Sequence, residues 1–495
     1  MTDAPAKISS KRKRIAVWIG LGIVALLLAY SILILAAKLE WGGGSPNRQL
    51  VGKAEHQVQL QMAQFCTGVT RTPQNTWLVS RSDSGRPDSD EIPPSAIDLR
   101  TVFPSKDDGS GEESKQLDDD GGPGFMSSRE FSVISRLTPQ GVFETVAVLP
   151  EVACLVATPN GNSVFLLSGW DAPDAQPGAQ TAVFRSDDQG RSWSVMPQGW
   201  FAKANTIAWN LTPRFFGDNE VWVAGKEDSS LKSADEFSLE PVRPAIFYSP
   251  DQGRTAQRVA LSPAFETRDA ELAKLIPAGA ETLANEAEIK GFALQVSDDQ
   301  ALVWMSKSKF YQVQGRQLNA IASITAFMPL NRVGGHWQNG TVTKLSATEL
   351  HNVELGPGGE VFAVLEHHPD GEFTTPVIAK FDRATHEWRE QGNIPSPFAP
   401  MNASTYIRSF RAGNKALLLN VSYDHKVPRW LYPWKEASIS ATANYYSVNE
   451  GRSWSKLDVP GYLGLAGFDP SRDTIYRIGK NARFGNREVE SLRLE

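Results

Sequence analysis

The chain has 495 residues, 41% hydrophobic and 21% charged, with a formal net charge of −6. That balance can bury a core, and it excludes a disordered or collagen-like chain. The first fourteen residues carry five bases against one acid, so the remainder carries −10; this argues against nucleic acid as a partner and against charge-driven docking on anionic lipid.

The basic tail, residues 1–14, holds Lys7, Lys11, Arg12, Lys13 and Arg14. Ile15 to Ala37 then runs 23 residues without a charge. A hydrocarbon core about 30 Å thick needs roughly 20 apolar residues in a helix, so a transmembrane helix is predicted over 15–37. The basic excess before it places the N-terminus in the cytoplasm and the rest outside, in the periplasm if the membrane is a bacterial inner membrane. A cleaved signal peptide is the alternative, but its apolar region would be about 7–15 residues, and Leu35-Ala36-Ala37 is a poor cleavage site. Residues 38–56 read as a linker, flexible at Gly42-Gly43-Gly44-Ser45-Pro46. Gln57–Met62 alternates polar and apolar, as a half-buried strand should.

From there to residue 495 one element recurs: an apolar strand, a turn of Pro, Gly, Asn or Asp, and a second apolar strand. Copies start at Cys66, Cys154, Ile207, Phe292, Val353, Ser409 and Gly464. Seven copies at blade-like spacing predict an all-β, seven-bladed β-propeller over 57–495. Closure requires one more strand. Gln57–Met62 is expected to pair with the C-terminal strand near Glu488–Leu494 and remove the open edge.

Four insertions interrupt the pattern, at 83–124, 264–291, 319–350 and 425–442. Residues 83–120 hold twelve acids and four bases and read as a solvated loop; no alternating ligand spacing for Ca²⁺ is visible. Residues 264–291 read as two short helical runs, the first carrying Leu272, Leu275 and Ile276, the second Leu283, Ala287 and Ile289. The third insertion holds His336 and Trp337, the fourth Trp430, Tyr432 and Trp434. Aromatics this dense in loops are either buried or form a binding surface for protein or glycan. Cys66 and Cys154 begin equivalent strands outside the cytoplasm, where a disulfide is permitted; two buried thiols are the alternative.

A second motif follows several hairpins. Ser186-Asp187-Asp188-Gln189-Gly190-Arg191-Ser192-Trp193 is the clearest copy. Ser447-Val448-Asn449-Glu450-Gly451-Arg452-Ser453-Trp454 is a close variant. Ser249-Pro250-Asp251-Gln252-Gly253-Arg254-Thr255 lacks the Trp, and Phe381–Trp388 is a distant echo. The pattern resembles the Asp box of the sialidase-type, or BNR-repeat, propellers, over most of residues 60–495. The resemblance implies that these residues hold blades together: the acid accepts backbone N–H groups, Gly takes a positive φ, and the Trp covers the blade with its N–H finding a partner.

The resemblance also raises sialidase activity, which rests on an arginine clamp for a carboxylate, a Tyr nucleophile paired with a Glu, and an Asp acid. The expected F/Y-R-I-P motif is absent from the sequence. Thr212-Pro213-Arg214-Phe215 and Tyr406-Ile407-Arg408-Ser409 have the wrong neighbours and come late. No catalytic residues, cofactor motif or metal-ligand spacing is visible; His367 and His368 are adjacent and point to opposite faces of a strand. The expectation is therefore a non-catalytic member: a membrane-anchored propeller binding a protein, or a glycan, as an assembly module. A diverged glycoside hydrolase and an immunity protein against a periplasmic toxin are the alternatives.

Overall fold

In the computed structural model the described residues are 10–38, 44, 46–54, 59–60, 68–82, 95–99, 131–150, 153–168, 182–196, 206–207, 214–227, 243–255, 257–283, 288–313, 319–371, 376–395, 403–427, 438–457, 467–478 and 488–495. A helix, Ser10–Lys38, precedes an all-β body. The body is built from antiparallel hairpins, because alternating apolar residues can bury one face of a strand only against a neighbouring sheet.

Each of the seven predicted hairpins is an antiparallel pair, from Val69–Arg71 with Thr76–Ser82 to Gly467–Asp469 with Thr474–Ile478. They are distributed over six hydrogen-bonded sheets, not seven. Five sheets of four to six strands are separate and follow one another along the chain from Ala153 to Lys456. The first and last hairpins share one ten-stranded sheet. The strand Arg48–Ala54 fuses them, pairing in parallel with Val142 and Phe143 through Lys53 and Ala54 and antiparallel with Glu488–Arg493.

The closing strand is thus Arg48–Ala54, inside the segment expected to be linker, and not Gln57–Met62. Of the latter, Gln59 and Leu60 pair with Arg81 and Ser80 instead. Arg48 pairs ionically with Glu490, which also receives the Nε of buried Arg477 at 3.0 Å. A charge shared between two guanidiniums ties the closing strand to buried sheet by more than backbone bonds.

Apolar clusters between consecutive sheets make the arrangement propeller-like. Trp77, Ile134, Leu166 and Phe184 join the fused sheet to the second. Phe165 packs with Phe215 between second and third, their rings 5.8 Å apart. Trp222 and Val303, then Trp304 and Ala363, then Ile378 and Leu419 continue the series. Leu418 of the sixth sheet and Ala416, just before its strand, meet Ile475 and Leu492 of the fused sheet, which completes the circuit.

Three insertions differ from expectation. Within the first, Ile97 and Asp98 pair in parallel with Ala147 and Val148, and Leu99 is buried; the rest lies outside the described residues apart from 95–96. In the second, one helix forms, Asp269–Ala273, with Leu272 buried against Tyr311. The second helical run does not form there: Ile289 belongs to the strand Glu288–Gln295, opposite Lys307. The third is not a loop at all. Asn319–Val333 is a fifteen-residue strand bonded along Gln300–Gln312. Both its faces are covered, so the alternation that marks a strand is lost. Of the fourth, residues 428–437 lie outside the described residues.

In the helix, the described side chains are those of residues 17–32, and nine large apolar ones are more than half exposed. Among the described residues no helix is long and apolar enough to cross a membrane.

Closure of the ring yields the first prediction. Lys53 N–H donates to the Gly141 carbonyl at 2.9 Å, so K53P deletes this bond and leaves a half-buried acceptor unpaired. A loss of about 1–3 kcal/mol is expected in urea melts, whereas K53A should lie within about 0.5 kcal/mol of the parent.

Candidate functional site

Three turns of the Ser-x-Asp/Asn-x-Gly pattern share one set of hydrogen bonds. In the first, Asp188 Oδ1 accepts the Ser192 N–H at 2.9 Å and the Ser186 hydroxyl at 2.9 Å, while Oδ2 accepts the Ser192 hydroxyl at 2.6 Å. Gly190 N–H donates to Ser186 Oγ at 2.7 Å. Asp251 repeats this set with Ser249, Gly253 and Thr255. Asn449 repeats it with Ser447, Gly451 and Ser453, its amide carbonyl standing in for one carboxylate oxygen and its NH₂ donating to Ser453 Oγ.

The residue before each Gly is left-handed: Gln189, Gln252 and Glu450 all have φ near 61°. At Gly190 φ is 81°, and a Cβ would lie 2.7 Å from the Trp77 ring. The glycine is therefore needed both for the turn and for the close approach of the neighbouring sheet. Burial disfavours the Asp188 and Asp251 carboxylates, but the converging donors win and hold both below the usual range.

Trp193 and Trp454 pack against the preceding sheet. Their indole N–H groups are buried with no hydrogen-bond partner among the described residues, contrary to the expected partner. Trp388, of the distant echo, packs on Phe327 and Phe381. Trp337, for which burial and a binding surface are the two readings, lies between Trp222 and Tyr248 with centroids 5.0 and 5.7 Å away. It plays the box tryptophan's part in a sheet whose sequence has no box. His336 is exposed at the hairpin tip beside it. Trp430, Tyr432 and Trp434 lie outside the described residues, as does Cys66; Cys154 is on the strand Ala153–Ala157, its side chain undescribed.

The structure brings together a cluster that the sequence did not single out. Arg214 Nη2 and Nη1 donate to Glu354 Oε1 and Oε2 at 2.7 and 3.3 Å, and Arg411 Nη1 donates to Oε1 at 2.8 Å. These residues stand on the strands Arg214–Phe216, Thr348–Leu355 and Ala403–Ala412 of the third, fifth and sixth sheets. Arg214 reaches the fifth sheet without the fourth intervening, as expected where the inner ends of neighbouring sheets draw together around a common centre. The cluster is thus a hub. Burial penalises the charges of Arg214 and Glu354. The attraction and hydrogen bonds outweigh that penalty, holding the Glu354 carboxyl below the ordinary range and raising Arg214. A carboxylate held ionised by two guanidiniums is a poor general acid.

A second network joins the third and fourth sheets. Tyr248 donates to Glu220 Oε1 at 2.5 Å, Arg332 Nη1 meets the same oxygen at 2.6 Å, and Gln295 bonds Oε2 at 2.6 Å. Arg332 also lies over the Trp337 ring. This Tyr–Glu pair is not poised for nucleophilic attack. Burial, then the hydrogen bond and charge of Glu220, push the phenol pKa up, only partly opposed by Arg332. The phenol keeps its proton.

Among the described residues no group of three or more His, Cys, Asp or Glu could hold a metal ion.

No family model matches the chain, and no curated protein does. Among solved structures it is similar to an α-L-arabinanase of Penicillium chrysogenum in complex with arabinobiose: 14% identity, 68% of this chain, 91% of that one, TM-score 0.32. It is also similar to a mutant Trypanosoma rangeli sialidase displaying trans-sialidase activity, at 12% identity over 72% of this chain and 56% of that one, TM-score 0.32. A Hadza microbial sialidase gives 13% identity over 74% and 73%, TM-score 0.29. This chain spans little more than half of the Trypanosoma structure.

Two predictions follow from these clusters. D188A should cost about 1–3 kcal/mol in thermal or urea unfolding, whereas D188N should cost well under half of that, because Asn449 makes the same turn. For the hub, E354A leaves two facing guanidiniums and should cost about 3–5 kcal/mol. The Glu354 pKa is lowered on folding, so its contribution is present above the unfolded value near 4.3 and lost as pH falls through the folded value. Acid titration of E354Q should accordingly show a shallower stability loss below about pH 4 than the parent; an unchanged slope would show that the hub carboxylate is not ionised in the folded state.

Proposed function

We propose that this protein is a membrane-anchored, extracytoplasmic propeller that binds a protein partner as an assembly module. The observation that carries this reading is the hub: the axis, where propeller enzymes could set acidic groups to work, holds Glu354 tied between Arg214 and Arg411. Such an ion triad favours a rigid ring over an open reaction centre. Function then falls to the loops on the two faces.

The anchoring half of the proposal rests on sequence and on exposure. The uncharged run 15–37 fits a bilayer's thickness. Leaving nine large apolar side chains of the helix in water forgoes on the order of 10 kcal/mol of burial, and a lipid environment supplies that burial. The basic tail orients the N-terminus to the cytoplasm. Carbonate extraction of membranes should leave the chain in the pellet, and a protease added outside the cytoplasm should digest the propeller.

Partner binding is tested with the full chain in gentle detergent by in-membrane cross-linking and mass spectrometry. Expected are reproducible cross-links from one loop face to one protein. The reading fails if no protein is linked while the same preparation labels a glycan array or cleaves aryl glycosides. Loss of that cleavage in E354Q would favour the diverged glycoside hydrolase.

A further inference from the structure

We infer that the hub binds a carboxylate on an acidic segment of the partner protein, received at the end of the ring that carries the Asp-box turns. The inference rests on the partner-binding reading above and adds the chemistry that holds the partner. Arg214 and Arg411 share one carboxylate, so the cluster keeps one positive charge that Glu354 does not cancel. Among the described residues neither arginine pairs with another acid, and Glu354 is the only group whose charge acts on Arg214. A charge held in partly desolvated surroundings without a counterion is costly, and a second anion removes that cost.

The cluster also has the donors to take one. Arg214 spends both terminal nitrogens on Glu354; Arg411 spends Nη1 on Glu354 and, at 3.5 Å, on the Phe410 carbonyl. This leaves the Nε–Nη2 edge of Arg411 without a partner among the described residues, and that edge is the side-on fork that receives a carboxylate through two parallel bonds. The arginines are not sealed: both side chains are 25% exposed, against 7% for Glu354. Strand register fixes the end of approach. Leu417 pairs with Ala412, next to Arg411, on one side and with Ser447, the first residue of an Asp box, on the other. Val221 likewise stands between Phe215, next to Arg214, and Ser249. The chain past residue 14 is acidic, so an acidic segment is repelled by the domain as a whole, and one uncancelled cation decides where it seats.

The test titrates fluorescein-labelled hexaglutamate into the full chain in an uncharged detergent and reads anisotropy, with labelled hexaglutamine as the blank. Saturable binding of hexaglutamate alone is expected. R411Q removes the excess charge and leaves Arg214 and Glu354 balanced, so the chain should still melt cooperatively while binding weakens roughly tenfold or more. R408Q makes the same charge change at an exposed position of the same strand and should leave binding within about twofold. E354Q raises the excess from one charge to two and should tighten binding roughly threefold or more, the reverse of what lost structure would do. The inference falls if the parent does not bind hexaglutamate in preference to hexaglutamine, or if R411Q and R408Q weaken binding equally. It falls too if inorganic phosphate displaces the peptide at lower concentration than free glutamate does, which marks an inorganic-anion site. Should E354Q not fold, R411Q against R408Q still decides. A chain that ignores hexaglutamate while cross-linking to one protein loses the hub assignment and keeps the partner reading; one that binds it through Arg411 but cross-links to no protein loses the partner reading.

Discussion

Everything in this molecule depends on how a chain of hairpins is made into a ring. Each hairpin buries one face only against its neighbours, so a linear row of sheets would leave two open edges. The strand Arg48–Ala54 removes that problem by pairing with the last strand on one side and touching the first sheet on the other. It is short and half polar, and its grip is reinforced by Arg48 on Glu490, which buried Arg477 also holds. The hub repeats the device at the axis with Arg214, Glu354 and Arg411. Rim and centre are both fixed by a carboxylate shared between two arginines, an arrangement that is strong only while all three members remain.

The Asp-box turns work at a different scale. They do not close the ring; they set the angle at which one sheet leans on the next. The left-handed pair Gln189-Gly190 lets the turn approach Trp77 of the preceding sheet, and Trp193 fills the remaining space. Trp337 shows that the aromatic wedge matters more than the box, since it performs the same packing without one.

Local structure was legible from the sequence, and long-range structure was not. All seven hairpins follow from period-two alternation and turn residues, because both signals lie within about fifteen positions. The six-sheet outcome turns on a two-residue parallel contact between Lys53–Ala54 and Val142–Phe143, which leaves no local trace. The closing strand was displaced because Gln57–Met62 alternates cleanly while Arg-Gln-Leu-Val-Gly-Lys-Ala does not. The strand Asn319–Val333 reads as an insertion because burial on both faces erases its pattern. The hub joins residues 140 and 57 positions apart; its only local sign is a charge standing in the otherwise apolar opening strand of a hairpin, as in Phe410-Arg411-Ala412.

The position of the closing strand has a consequence for folding. Its partner is Glu488–Arg493, and Leu494 beside it is buried, its N–H bonded to the Asp473 carbonyl. The strand Arg48–Ala54 therefore has no partner on that side until a segment more than four hundred positions away in sequence reaches it, a loop closure that is slow because its entropy is paid before any contact rewards it. Opening the seam would bare two strand edges at once and part Arg48 from Glu490. The ring is thus expected to close late and to give way first at this seam.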